Sequence, residues 1–336
     1  MLTVLEELPE GLYTCRAADL HGILPGPSLI HLPGRRSEPL FVSVLLHGNE
    51  DTGWQAAQSI LRKYRQRALP RALSLFVGNV AAARAGVRRL PGQRDYNRIW
   101  PGCEDGGTPE HAMAEQVVAA MRARGVFASI DVHNNTGLNP HYACVNGTDP
   151  RFLHLARLFS RIVVYFERPR GVQSMAFASL CPAVTVECGR PGSLRSDEHA
   201  AEFIDACLHL AALPGSPVPA HDLDLFRTVA TVRIAEGRDF GFGEHGGGIR
   251  FERDLDHMNF REVPRGAVWG RLADDRSPPL RVIDNDGRDV FHDYFGIEAG
   301  VLTLRKSLTP AMLSCDVEAV RQDCLCYLMQ RLPQPD

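Results

Sequence analysis

Short apolar runs that stop at a small polar or charged residue set the rhythm of the first two thirds of the chain. Residues 41–46 (Phe-Val-Ser-Val-Leu-Leu) are apolar and rich in β-formers and stop at His47-Gly48. Residues 73–77 stop at Gly78-Asn79, residues 126–132 at His133 and residues 183–186 at Glu187; residues 162–166 give a further run. Between them, residues 52–67, 110–124, 152–161 and 196–213 carry apolar side chains at helical spacing. Strands that are apolar throughout and alternate with helices predict an α/β fold, a sheet covered by helices on both faces.

The pattern changes near residues 213–219 (Leu-Pro-Gly-Ser-Pro-Val-Pro), whose proline content marks a linker. Beyond it, strand-like segments dominate, at residues 228–234, 267–272, 280–283 and 300–304, and a final helix is expected over about residues 315–332. The chain therefore reads as a catalytic α/β domain over residues 1–215 and a smaller C-terminal β-rich domain with a terminal helix over residues 220–336.

Composition narrows the classes of function. The chain has 336 residues, enough for one large or two ordinary domains, and its 44% hydrophobic and 23% charged content is that of a soluble globular protein. A net charge of −3 gives no whole-chain field to attract nucleic acid or an acidic membrane. The apolar runs are too short to span a bilayer, and the N-terminus lacks a basic start followed by an apolar stretch. Nine scattered cysteines read as reduced thiols, so a cytoplasmic location is expected; a homo-oligomer stays open.

The chemistry lies where the apolar runs stop. His47-Gly48-Asn49-Glu50 offers an imidazole and a carboxylate three residues apart, where a loop becomes a helix. Both are good zinc ligands, but the tetrapeptide alone more often marks a solvent-facing histidine and a first-turn glutamate that suits the helix dipole. His133 closes another strand. Sites in open α/β sheets form beyond the carboxyl ends of the strands, which would bring His47, Glu50 and His133 together. Asp131 shares a strand face with His133 and reads equally as its orienting partner or as a turn residue. Glu187, a carboxylate ending a third buried strand, is the favoured general base.

These residues occur in one order with others: His-Gly-Asn-Glu, then Asn79 and Arg84-Ala-Gly-Val-Arg88, Asp95-Tyr-Asn97-Arg98, Asp131-Val-His133-Asn, and Val186-Glu187-Cys-Gly189. The set resembles the succinylglutamate desuccinylase and aspartoacylase family, a branch of the zinc carboxypeptidase clan, clearly over residues 41–192. The resemblance implies a zinc-carboxypeptidase-like mixed sheet and one Zn²⁺ on His47, Glu50 and His133. It implies that metal-activated water cleaves the amide of a small, carboxylate-bearing N-acyl amino acid. Glu187 would be the general base and acid, and Arg88 would steady the oxyanion. Asn97 and Arg98 would hold the substrate carboxylate, with Asn134 beside them. Tyr294 is the candidate for a tyrosine that some relatives contribute from the second domain.

The chain departs from the family pattern at Tyr96 and Trp100, which are expected beside the substrate site. It also has no arginine at residues 174–179, where aspartoacylases bind the acyl carboxylate; Arg168 and Arg170 are displaced from that position. Two other readings compete with the deacylase: a metallocarboxypeptidase acting on peptides, and an inactive relative that binds metal without turnover.

Overall fold

The computed structural model describes residues 1–244, 247–273 and 277–333, which fall into two units. The first holds Met1–Asn134 and His141–Asp224; the second holds Asn135–Pro140 and the chain from Leu225 onward. The Pro-rich stretch at 213–219 precedes the passage into the second unit by a few residues.

In the first unit the strands are β1 (Thr3–Leu5), β2 (Ser28–Leu32), β3 (Leu40–Val44), β4 (Leu73–Val77), β5 (Ala128–His133), β6 (Tyr142–Val145), β7 (Ile162–Tyr165) and β8 (Ala183–Glu187). They lie in the order β1-β2-β4-β3-β5-β8-β6-β7. The neighbours β4/β3, β3/β5 and β5/β8 are parallel, whereas β2/β4 and β8/β6 are antiparallel, so the sheet is mixed. The helices are α1 (Thr52–Lys63), α2 (Val80–Ala85), α3 (Pro109–Arg124), α4 (Pro150–Phe159), α5 (Gln173–Phe177) and α6 (Leu194–His209).

Every residue of β3, β4, β5 and β8 is buried, which is why these strands read as unbroken apolar runs rather than alternating ones. One face meets α1 so closely that a Cβ on Gly53 would lie 2.9 Å from Val132 Cβ. On the opposite face, Phe41 stacks on Phe177 of α5 at 4.3 Å, within a cluster that includes Met113, Val117 and Met121 of α3. Tyr96 and Trp100 belong to this cluster, and Trp100 Nε1 donates to the Tyr96 carbonyl (2.8 Å). These two departures from the family pattern are thus core residues. Local signals set the helix ends: Asn79 caps α2 by accepting from Ala82 N (3.1 Å), and Pro109 opens α3, which Gly125 closes at φ 64°.

The second unit carries β9 (Asp224–Ile234), β10 (Phe240–Phe242), β11 (Ile249–Phe251), β12 (Val268–Leu272), β13 (Leu280–Asp284), α7 (Phe291–Tyr294), β14 (Phe295–Glu298), β15 (Val301–Leu304), β16 (Thr309–Ala311), α8 (Val317–Gln322) and β17 (Cys326–Arg331). One group of strands runs β13-β9-β17-β16, and a smaller sheet runs β10-β11-β12-β15-β14. Trp269, Phe291, Phe295 and Leu302 lie in its apolar core. The long helix expected over residues 315–332 is instead the short α8 followed by β17. Cys326 and Leu328 are buried at strand spacing as β17 pairs with β9, and this tertiary pairing overrides the local helical pattern. Among the described residues no helix is long and apolar enough to cross a membrane.

Gly48 tests the packing that supports the site. A Cβ there would fall 2.1 Å from the backbone carbonyl carbon of Ala82, and backbone cannot give way as a flexible side chain can. Gly48→Ala is expected to lower unfolding stability by at least about 2 kcal/mol in urea titrations. A wild-type midpoint would show that the α2 backbone is not held against this turn.

Candidate active site

The site forms where β3 and β5 end side by side. Just past β3, Leu45 takes the left-handed conformation (φ 56°), a strained state for a branched residue. Asn79 N donates to its carbonyl (2.6 Å) and Gly78 N to that of Val44 (3.0 Å), so strand β4's exit holds the bend. The bend delivers His47, and a turn closed by Glu50 N on the His47 carbonyl (3.2 Å) brings the Glu50 carboxylate back towards the imidazole. His133 is the last residue of β5, next to β3 in the sheet.

The three predicted ligands come together. His47 Nδ1 lies 2.8 Å from Glu50 Oε1, and His133 Nδ1 lies 2.8 Å from Glu50 Oε2. One donor atom from each residue lies within 4.8 Å of the other two, and all three side chains are buried. Each imidazole is held from behind by a second carboxylate. His133 Nε2 meets Asp131 Oδ2 at 2.8 Å, and His47 Nε2 meets Asp95 Oδ1 at 3.0 Å. Asp131 is fully buried and accepts from Ser43 Oγ on β3 (2.6 Å), so it is the orienting partner and not a turn residue. Asp95 accepts from Arg88 Nε and Nη2 (3.2 and 2.9 Å) and from Asn97 N (2.8 Å).

Charge tests whether a metal fits. Along this chain of contacts the buried carboxylates Asp131, Glu50 and Asp95 meet the guanidinium of Arg88, and Arg98 acts on Asp95 as well. Further positive charge suits this line, either imidazolium ions or one divalent cation between neutral imidazoles. The pKa shifts express the first arrangement. Burial opposes the charge on His133, yet Asp131 and Glu50 outweigh it and hold its pKa well above the usual value. Burial and Arg88 likewise oppose charge on His47, and Glu50 and Asp95 prevail, raising it. Asp95 is held well below the usual carboxylate range, by His47 and Arg88 against burial, and Glu50 is lowered by both histidines. The donor set, two imidazole nitrogens and a carboxylate with the distal nitrogens already fixed by carboxylates, fits a divalent metal.

The remaining predicted residues sit around this centre in different ways. Glu187 ends β8 in register with His133, so both side chains leave the same sheet face, and it is buried. Arg88, besides its fork on Asp95, has Nη1 3.8 Å from Glu50 Oε1, and its carbonyl accepts from Gly48 N (3.1 Å). Arg98 is half-buried and donates through Nη1 to the Asn97 carbonyl (2.8 Å). The Asn97 amide oxygen accepts from Gln173 N (3.1 Å), and its nitrogen lies 3.3 Å from His133 Nε2.

Asn134 is held within the protein. Its amide nitrogen donates to Thr52 Oγ1 (3.1 Å) and the Gly189 carbonyl (2.9 Å), and its oxygen accepts from Thr52 N (3.3 Å). These bonds tie Asn134, next to His133, to the start of α1 and to the backbone after Glu187. Tyr294 lies in the apolar core of the second unit, with Lys306 Nζ 3.6 Å from its ring centroid. The sequence reading assigned no role to Asp95, although it stands two residues before Asn97 in the motif; an aspartate beside an arginine-rich turn was the available signal.

Comparison with known proteins places this geometry. The model of the succinylglutamate desuccinylase/aspartoacylase catalytic domain matches residues 38–211. Comparison with curated protein sequences gave no match. Among solved structures, succinylglutamate desuccinylase from Vibrio parahaemolyticus is similar with TM-score 0.60 and 15% identity, over 90% of this chain and 84% of that one. A mutant form of murine aminoacylase 3 gives TM-score 0.58 and 16% identity, over 89% and 95%. A product-bound ectoine utilization protein from Ruegeria pomeroyi gives 0.56 and 16%, over 91% and 88%. At these identities the likeness is one of fold.

Two measurements follow from the site. Asp131→Ala is expected to weaken divalent-metal affinity about 10- to 100-fold, because His133 loses the carboxylate that orients it; unchanged affinity by competition with a chelator would remove Asp131 from the site. In the metal-free protein the imidazoles keep their protons above the usual range, and a metal must displace them. Affinity is therefore expected to rise with pH through that range, with protons released on uptake. Calorimetry in buffers of different ionisation enthalpy checks this, and pH-independent, proton-silent binding would contradict it.

Proposed function

We propose that this chain, which belongs to the succinylglutamate desuccinylase/aspartoacylase family, is a zinc-dependent hydrolase of the amide bond in a small N-acyl amino acid that carries a free carboxylate. The observation that supports this most is the His47–Glu50–His133 cluster with Glu187 in register beside His133. Two imidazoles and one carboxylate are a donor set of catalytic zinc sites, which leave a coordination position open. When bound, zinc supplies a Lewis acid that polarises the scissile carbonyl and acidifies water.

The chain's own residues do the rest. Glu187 takes the proton from the attacking water and passes it to the leaving amine nitrogen, which departs as a neutral amine. Arg88, locked by its fork on Asp95, presents a fixed positive charge to the oxygen that becomes anionic as the carbonyl carbon turns tetrahedral. Arg98 pairs with the substrate carboxylate, a task suited to its planar, two-pronged donor geometry. Asn97 stands between this arginine and His133 and links substrate binding to the ligand shell.

His47→Ala is expected to lose most bound zinc, measured by elemental analysis; full retention would refute the ligand set. Glu187→Gln is expected to keep its metal and lower kcat by at least about 100-fold. Hydrolysis is to be followed on a panel of N-acetyl, N-formyl, N-succinyl and longer N-acyl amino acids, and wild-type turnover by this variant would exclude the base assignment. Arg98→Lys keeps the charge but loses the planar fork. It should raise KM about tenfold with little change in kcat, and an unaltered KM would place the carboxylate elsewhere.

A further inference from the structure

Arg88 stands on a stretch without regular structure. α2 ends at Ala85 and α3 begins at Pro109, and the loop between them carries Arg88, Asp95, Asn97 and Arg98. A surface loop left to itself would not hold a guanidinium in one place. Its shape has to be imposed, partly by its own sequence and partly by contacts to the sheet.

The sequence supplies a tight turn. In Leu90-Pro91-Gly92-Gln93 the Gln93 N–H donates to the Leu90 carbonyl (3.0 Å), and Gly92 takes a positive φ of 76°. Proline in the second position and glycine at positive φ in the third are the preferences of a type II turn. The turn reverses the chain between Arg88 and Asp95, which lets the guanidinium of the first fork onto the carboxylate of the second (Nε 3.2 Å, Nη2 2.9 Å). The Gln93 side chain folds back on the same turn, where its Oε1 accepts from Leu90 N (3.0 Å).

The sheet supplies the anchor. Asn79, at the exit of β4, and Gln93 join amide to amide: Asn79 Nδ2 donates to Gln93 Oε1 (2.8 Å), and Gln93 Nε2 donates to Asn79 Oδ1 (3.1 Å). A primary amide carries a donor and an acceptor side by side, so this pair fixes orientation as well as distance. Asn79 is buried; it also caps α2 and, through its N–H, holds the bend at Leu45. Gln93 thus fastens the turn between Arg88 and Asp95 to the residue that fixes the approach to His47. The Arg88 carbonyl, accepting from Gly48 N (3.1 Å), ties the chain before the turn to the same region.

We propose that Gln93 is a positioning residue for Arg88: by locking the 90–93 turn to Asn79, it fixes the point from which the Arg88 guanidinium meets the developing oxyanion. This rests on the reading of Arg88 as the oxyanion-stabilising group.

The test uses the zinc-loaded full chain and the most rapidly cleaved member of the N-acetyl, N-formyl and N-succinyl amino-acid panel. Gln93→Met keeps the unbranched stem and removes the amide. Displacements of about 1 Å at a reacting group cost up to about 100-fold in rate, and this variant is expected to lose about tenfold in kcat. KM and zinc content should stay at wild-type values, as for an interaction made only in the transition state. A structural role alone would lower the unfolding midpoint and leave the kcat of the folded enzyme unchanged. Arg88→Lys, which gives up the fork on Asp95, completes a double-mutant cycle. It is expected to lower kcat about 100-fold. Gln93→Met added to it should cost less than about twofold more, because both residues act through one group. Unchanged kcat in Gln93→Met, a loss confined to KM or zinc, or losses that multiply in the double variant would overturn the positioning role. If Gln93→Met does not fold, Gln93→Glu keeps the acceptor and gives up the bond to Asn79 Oδ1. It is expected to lower kcat about threefold, and an unchanged kcat there would overturn the role as well. Wild-type turnover in Arg88→Lys removes the oxyanion reading and the proposal with it. Its impairment beside a fully active Gln93→Met removes only the positioning role.

Discussion

A continuous line of buried contacts, Asp131–His133–Glu50–His47–Asp95–Arg88, organises the candidate centre. Each link alternates a carboxylate with a group that carries or accepts positive charge, and none of the carboxylates has enough water around it to stand alone. Burying such groups unpaired would cost several kcal/mol each. The line is therefore an all-or-none arrangement, rich enough in carboxylate to suit a divalent cation, and it turns both Nδ1 atoms towards the same carboxylate.

The fold supplies this line by bringing strand ends together. β3, β5 and β8 are parallel neighbours, so their last residues reach one edge of the sheet and carry His47, His133 and Glu187 to it. The same sheet face carries Ser43 in register with Asp131, which places a hydroxyl where the buried aspartate needs a donor. Strain at Leu45 and the close approach of Gly48 to α2 are what this geometry demands of the backbone, and hydrogen bonds from Gly78 and Asn79 keep the bend in place. Rigidity of this kind suits a site whose groups must be set before substrate arrives.

The tie at Cys188 extends the same logic to Glu187. Glu187 is held through its own ladder and through the peptide group that follows it, whose N–H donates to the His133 carbonyl. Asn134, bonded through its amide nitrogen to Thr52 Oγ1 and the Gly189 carbonyl, works as a strut.

Much of this was legible in the chain itself. Uninterrupted apolar runs marked the buried strands, because a strand covered on both faces has no solvent side on which to place polar residues. The residues that break those runs marked the candidate site, because in such sheets function collects at strand ends, and the structure brings His47, Glu50 and His133 together there. What local pattern could not decide was whatever depends on a partner distant in sequence. Asp131 remained balanced between two readings until Ser43 and His133 closed around it, and Asp95 had no role until it met His47, 48 residues away. Residues 326–331 form a strand because β9 and β16 offer them ladders, a choice no neighbouring residue encodes. The sequence determined the candidate residues and the strand ends on which they stand; the tertiary structure decided how they are held, since hydrogen bonds and charge balance are properties of groups brought together only by folding.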